Sequence, residues 1–342
     1  MWRKKFIILF VFAAGIIACS KDAVEAVFAG FEKPEGFPEP VYRFADNKIT
    51  KEGFELGRKL FYDPVLSANN TISCGSCHIQ TSAFTHHGHS VSHGIFDRLG
   101  TRNSPPIMNL AWSTSFMWDG GVFDLDLQPI VPITSHVEMG DSMSNVLTKL
   151  RTSSMYPAMF SKAFGSSEIT ATRFLKALSQ FMLMCVSNNA KYDSVTRGQA
   201  VFTTDEQAGY KLFQQKCGTC HQEPLFTDYS FRNNGLSISN VNDEGRYAVT
   251  LNAGDRYKFK VPSLRNLDYT PPYMHDGRFL TIEAVLDHYA GEVQSTPNLD
   301  PLLHTGDQLG IAISPKEKVQ LLAFLKTLDD RHFITDQRFS EQ

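Results

Sequence analysis

A chain of 342 residues is long enough for two domains of ordinary size, each with its own core. Its formal charge is -3, about -6 without Arg3, Lys4 and Lys5, so charge gives no support to nucleic acid as a partner and mildly favours a basic redox protein. With 42% hydrophobic and 20% charged residues, the composition is that of a soluble globular protein and excludes a disordered or membrane-embedded chain.

Arg3, Lys4 and Lys5 precede an apolar run from Phe6 to Ala18 that is too short to span a bilayer, which predicts an export signal over residues 1–18. Ile16-Ile17-Ala18-Cys19 has the form of a lipoprotein processing site, with Cys19 as the lipidated first residue; a retained anchor or an ordinary cleavage site are the alternatives. The expectation is a periplasm-facing or cell-surface lipoprotein, held to the membrane only by the lipid on Cys19. Pro34, Pro38 and Pro40, among charges and glycines, predict a flexible tether over 19–40.

The strongest signal is Cys74-Gly75-Ser76-Cys77-His78 and its twin Cys217-Gly218-Thr219-Cys220-His221. C-x-x-C-H is the signature of covalent c-type haem attachment: each thiol adds across a vinyl group and the imidazole ligates the iron. Residues i, i+3 and i+4 share one helical face, so both sulfurs reach the porphyrin edge while the ring turns under the metal. A disulfide in each pair, or one zinc shared by four thiolates, are the competing readings, but neither needs a histidine after both second cysteines. Cys185, in the apolar stretch Phe174 to Val186, reads as a buried, inert thiol.

A helix is predicted over Glu52–Phe61, and its Gly57-Arg58-Lys59-Leu60-Phe61 returns as Gly209-Tyr210-Lys211-Leu212-Phe213 before the second motif, with Thr204 as the cap. Amphipathic helices over Thr172–Met184 and Lys316–Leu328 would close the two halves. The expected fold is mainly α: two cytochrome c-like domains with long ordered loops, each enclosing one covalent haem, over 41–195 and 196–342, with the boundary within 188–204.

Five further stretches matter: Thr101-Arg102-Asn103-Ser104-Pro105, Phe116-Met117-Trp118-Asp119-Gly120, Glu138-Met139-Gly140, Val261-Pro262-Ser263-Leu264-Arg265-Asn266 and Pro272-Tyr273-Met274-His275-Asp276-Gly277. With the two haem motifs, they resemble the bacterial di-haem cytochrome c peroxidase family, in particular its MauG-like branch, from about Glu52 to Leu328.

The resemblance implies two covalent haem c groups, the first reacting with hydrogen peroxide and the second exchanging electrons with a small c-type cytochrome or another periplasmic donor. It assigns Glu138 to proton transfer during O–O cleavage, and Gln128 and Pro132 to the distal pocket of the first haem. Trp118 is placed between the haems, where an indole can carry an electron or hole. His93 matches the loop histidine that caps the first iron at rest, the alternative being a loop that merely covers an open iron. His86, His87 and His89 crowd the same loop, and without a nearby cysteine or carboxylate they fall short of a zinc or copper site. For the sixth ligand of the second iron, Tyr289 stands at the counted position, with Met274 as competitor and His275 and His288 behind it. Asn103, Thr270 and Pro272 match the positions of an interdomain calcium ion. Small-cytochrome peroxidase, oxidase acting on a partner protein and closed electron-transfer module all remain open, as does a homodimer.

Overall fold

The computed structural model describes residues 28–342, so the predicted signal, Cys19 and tether residues 19–27 lie outside the described residues. The described chain is mainly helical, as expected, with strands limited to two short antiparallel pairs.

The helices that position the site are α1 (Lys51–Tyr62), α2 (Cys74–Cys77), α3 (Ile130–Thr134), α4 (Ala171–Met184), α5 (Thr204–Lys216), α6 (Ile282–Asp287) and α7 (Pro315–Leu325). Thr50 opens α1 by accepting the Gly53 N–H, and one face of the helix buries Phe54, Leu56, Leu60 and Phe61. Each such side chain contributes roughly 1.5–3 kcal/mol relative to exposure. The cap of α5 is Thr203, one residue before the expected Thr204: its hydroxyl accepts from Glu206 N–H while the Glu206 carboxylate accepts from Thr203 N–H. A sequence with two adjacent threonines does not say which one leaves the helix, whereas Glu206 at the third helical position does.

The internal repeat has a packing cause. α1 crosses α4 at Gly57, where an added Cβ would lie 2.0 Å from the Ala177 carbonyl oxygen; α5 crosses α7 at Gly209, where it would lie 1.9 Å from that of Gln320. Each half is thus built on a helix pair that touches backbone to backbone, which only glycine permits.

Two hydrophobic cores result, and they correct the expected boundaries. Tyr192 already belongs to the second core, with Phe213, Phe226, Phe324 and Leu328. Phe333, Ile334 and Phe339 instead return to the first core, with Phe333 5.7 Å from Phe84 and Tyr62 donating to the Phe339 carbonyl. The last residues therefore strap the first half and do not continue the second. The tether reading also fails over 28–40. Phe31 stacks on Phe44 at 4.3 Å, Phe37 meets Trp112 at 5.1 Å, and the Trp112 indole donates to the Pro38 carbonyl. Aromatic residues at 31 and 37 outweigh the prolines between charges, because their burial offsets the cost of ordering the segment.

The two halves are tied together by charge. Arg102 makes a forked contact to Asp243 at 2.6 and 2.8 Å and a further one to Asp119 at 2.5 Å. Within the second half, Arg265, fully buried, makes a fork of its own to Asp193 at 2.9 and 2.7 Å, completed by the Pro224 carbonyl.

Candidate active site

Both attachment motifs are built alike. In the first, α2 carries the two thiols and His78 N–H continues the turn to Cys74 O at 2.9 Å; in the second, His221 N–H reaches Cys217 O at 3.0 Å. The tight loop that follows turns a carbonyl onto each ring: His78 Nδ1 lies 2.7 Å from Phe84 O, and His221 Nδ1 lies 3.1 Å from Phe226 O and 3.2 Å from Pro262 O. A carbonyl only accepts, so Nδ1 carries the proton and Nε2 keeps its lone pair for a metal. Burial holds both imidazoles below the ordinary histidine range and so keeps them neutral. Phe84 and Phe226 both have positive φ, at 61° and 56°, and an aromatic residue five or six places after each histidine is the signal that sequence reasoning passed over.

Neither motif's two cysteines are bridged to each other, and among the described residues no group of three or more His, Cys, Asp or Glu converges as a metal site. This removes the disulfide and shared-zinc readings. His86 and His89 do stack at 4.1 Å, with His93 5.4 Å from His89, but the cluster lacks the convergence a metal needs.

Around the second motif the halves enclose a cavity of about 600 Å³. Cys217, Cys220 and His221 face Trp118, Met274, His275 and Tyr289 across walls of Phe213, Leu264, Leu286 and Leu321. A large apolar void with two thiols and one free imidazole nitrogen fits a porphyrin bound through thioethers. Asn103, Thr270 and Pro272 also line this cavity, so the structure brings the expected calcium residues together. The Asn103 amide, however, donates to Ser90 O at 3.2 Å.

Tyr289 sits in a π-helical turn, His288–Glu292, directly after α6, a local widening that turns its side chain into the cavity. Burial pushes its phenol up to about 12, against the side-chain hydrogen bond of Asn234, which pulls it down. Asn234 also donates to Met274 Sδ at 3.4 Å. The two candidate ligands thus share one partner, which the sequence did not single out. His288 points away, its Nε2 3.0 Å from the Asn234 carbonyl, and His275 lies flat on Phe259 at 3.7 Å.

At the first motif, Glu138 follows α3 in a turn closed by Glu138 N–H to Ser135 O and Met139 N–H to Pro132 O. Burial raises its carboxyl above the ordinary range, opposed by hydrogen bonds from Ser135 and Ser92. Its charge is felt by the thiols of both Cys74 and Cys77, so it stands over the attachment site. The 92–95 loop lies on it: Ile95 N–H donates to Glu138 O at 2.8 Å, and at Gly94 a Cβ would come within 2.5 Å of the Glu138 backbone. His93 offers its carbonyl to Cys77 Sγ, while its Nε2 lies 3.4 Å from exposed Asp97. Gln128 reaches Met117 Sδ at 3.8 Å.

Trp118 stands where the halves meet. Its indole donates to Asn103 O at 2.8 Å, and its carbonyl accepts from Lys260 N–H at 2.8 Å.

Residues 51–201 match the family model described as di-haem cytochrome c peroxidase. The chain is 37% identical to the methylamine utilization protein MauG of Methylorubrum extorquens, over 90% of this chain and 86% of that one. It belongs to the di-haem cytochrome c peroxidase family. It is also 33% identical to the cytochrome c551 peroxidase of Nitrosomonas europaea, over 80% and 79% of the two chains. Among solved structures, a MauG-like protein associated with microbial copper homeostasis superposes with a TM-score of 0.82 at 33% identity, covering 91% of this chain and 98% of that chain. The diheme peroxidase BthA of Burkholderia thailandensis shares the fold, with a TM-score of 0.74 over 86% of this chain and 91% of that one at 19% identity. Membership of this family makes the chain an oxidoreductase and implies two c-type haems.

Proposed function

We propose that this protein consumes hydrogen peroxide at the first haem, held by Cys74, Cys77 and His78, and draws the two electrons through a second haem held by Cys217, Cys220 and His221. The observation that carries the reading is Glu138: a half-buried carboxyl with a raised pKa, fixed by Ser92 and Ser135 beside the first attachment motif. When bound, the first haem supplies an iron that binds the peroxide and takes up its oxidising power. Glu138 takes the proton from the inner oxygen and returns it to the outer one, so that water leaves. Gln128 and Pro132 orient and enclose the oxygen, and the 92–95 loop excludes bulk water from the carboxyl. Trp118 would carry charge between the halves, and Tyr289 would be the protein oxygen available to the second iron.

A second reading concerns only the source of the electrons. Tyr289 in the cavity wall, together with 37% identity to a MauG and 33% to a MauG-like protein, favours residues of a partner protein as the reductant. A small c-type cytochrome is the peroxidase alternative. In either case the protein acts on the periplasmic side of the membrane, anchored through Cys19, with calcium at Asn103, Thr270 and Pro272.

Stopped-flow mixing of the ferric di-haem protein with peroxide tests the proposal. A rapid Soret change is expected; an unreactive band in fully loaded protein would leave an electron-transfer module. Turnover of reduced small cytochromes then separates the two electron sources.

A further inference from the structure

Four basic side chains line the cavity of the second motif: Lys216, Arg232, Lys260 and Arg265. Three are committed to carboxylates. Lys216 pairs with Glu317 at 2.8 Å, Arg232 with Asp228 and Asp300 at 2.9 Å each, and Arg265 with Asp193. Lys260 is different. Among the described residues its ammonium has no carboxylate within ion-pair distance, and its hydrogen-bond partner is the Ser115 carbonyl at 2.6 Å.

An ammonium is expensive to hold out of water with one neutral acceptor, because its three donors and its charge need more than a carbonyl supplies. Desolvation accordingly pulls this amine down to about 8, against the charge of Asp119, which is itself engaged by Arg102. Lys260 is thus the one of the four cavity-lining basic residues without a carboxylate partner, its ammonium resting on the Ser115 carbonyl and 5.9 Å from the centre of the Phe116 ring. A haem brings two carboxylates on its propionates, and the thioether edge cannot be the edge that carries them, so they fall on the far side of the ring from Cys217 and Cys220.

We propose that Lys260 holds a propionate of the second haem and thereby ties that haem to the Trp118 turn. The tie is direct in the chain: Lys260 N–H donates to Trp118 O, and its neighbour Phe259 carries the stacked His275. Lys260 also closes the register of the strand pair, opposite Phe231, so the backbone that carries this side chain is fixed relative to Trp118. The role is one of positioning and charge compensation. It rests on the reading that this cavity takes a haem, and it extends that reading to the charge that sets where an electron or hole resides.

The test uses haem-loaded protein at rest, without peroxide, so that its outcome is independent of whether Glu138 chemistry occurs. Lys260→Gln, one atom shorter, keeps a donor while removing the charge. Expected are a shift of the propionate-bending band in the resonance Raman spectrum and a fall in the midpoint potential of the second haem, with the first haem unmoved. Lys260→Arg should restore both. A fully loaded Lys260→Gln protein with an unchanged band and potential would overturn the proposal, as would failure of Lys260→Arg to restore them. Should Lys260→Gln lose the second haem altogether, loading of Lys260→Arg decides: wild-type haem content supports the charge role, and equal loss removes it.

Discussion

Trp118 and His275 occupy equivalent places in the two halves and meet through one residue. Trp118 donates to the Asn103 carbonyl at 2.8 Å, and the Asn103 N–H donates to the His275 carbonyl at 2.7 Å. The equivalence is local and detailed. Phe116-Met117-Trp118-Asp119-Gly120 and Tyr273-Met274-His275-Asp276-Gly277 both place Met and Gly at positive φ, and both are closed by a bridge between residues six apart, Phe116 with Val122 and Tyr273 with Phe279. Duplication has left an indole on one side and an imidazole on the other, so at this position only the first half supplies a readily oxidised ring. Trp118→Phe should cost about 1 kcal/mol of stability from the lost hydrogen bond. It should leave both haems attached and abolish the spectral response of the second haem to peroxide. Absorption spectra of the two haems after stoichiometric peroxide check this.

Glu138→Gln separates function from stability. Removing a positioned acid–base group lowers the peroxide reaction by roughly 10²- to 10⁴-fold. Because burial raises the Glu138 pKa, the folded state binds its proton more tightly than the unfolded chain does. That contribution to stability is present below the unfolded pKa and is lost as pH rises through the folded value. Above the folded pKa the ionised, half-buried carboxyl is therefore a liability, and there Glu138→Gln should melt at the same temperature as wild type or higher while reacting slowly. The wild-type rate should rise with pH through the raised pKa, and this limb should vanish in the variant. Thermal melts from pH 4 to 8 alongside stopped-flow rates test both halves.

Gly57→Ala and Gly209→Ala should each damage one half. A methyl at 57 would lie against the Ala177 carbonyl and one at 209 against the Gln320 carbonyl, forcing the helix pair apart. Overpacking of this kind typically costs about 1–3 kcal/mol. The first substitution should lower haem attachment at Cys74 and Cys77, the second at Cys217 and Cys220. Mass spectrometry of haem peptides distinguishes them, and a uniform loss at both motifs would show that the halves do not fold around separate cores.

The duplicated helix and motif are legible in the chain because they are local: C-x-x-C-H needs one helical turn, and Gly57 and Gly209 each open the repeated five-residue stretch that precedes it. Less legible is anything set by the space between the halves. Asn234, which touches both Met274 and Tyr289, and Lys260, which lines the cavity without a carboxylate partner, are ordinary polar residues until the cavity gives them neighbours. The return of Phe333 and Phe339 to the first core spans more than 250 residues from Tyr62, and no periodicity encodes such a contact. Phe31 and Phe37 look like part of a tether only while Trp112 and Phe44 are out of view.

The choice between Tyr289 and Met274 turns on Asn234. Its amide donates to Met274 Sδ at 3.4 Å and hydrogen-bonds the Tyr289 side chain, so it holds both residues at the cavity wall. Met274 is further constrained by its positive φ of 74° in the Tyr273–Gly277 turn, whereas Tyr289 rides on a π-turn that already opens the helix toward the cavity. Tyr289→Phe removes the oxygen and preserves the ring, and should convert the second ferric haem to a different spin state by low-temperature EPR while the first haem's signal stays in place. Met274→Leu should leave both signals unchanged. Asn234→Ala frees both side chains and should broaden the second haem's signal without abolishing it. The reverse pattern, with Met274→Leu changing the spin state and Tyr289→Phe silent, would give the second iron a thioether cap and favour a small cytochrome over a partner protein as the source of electrons.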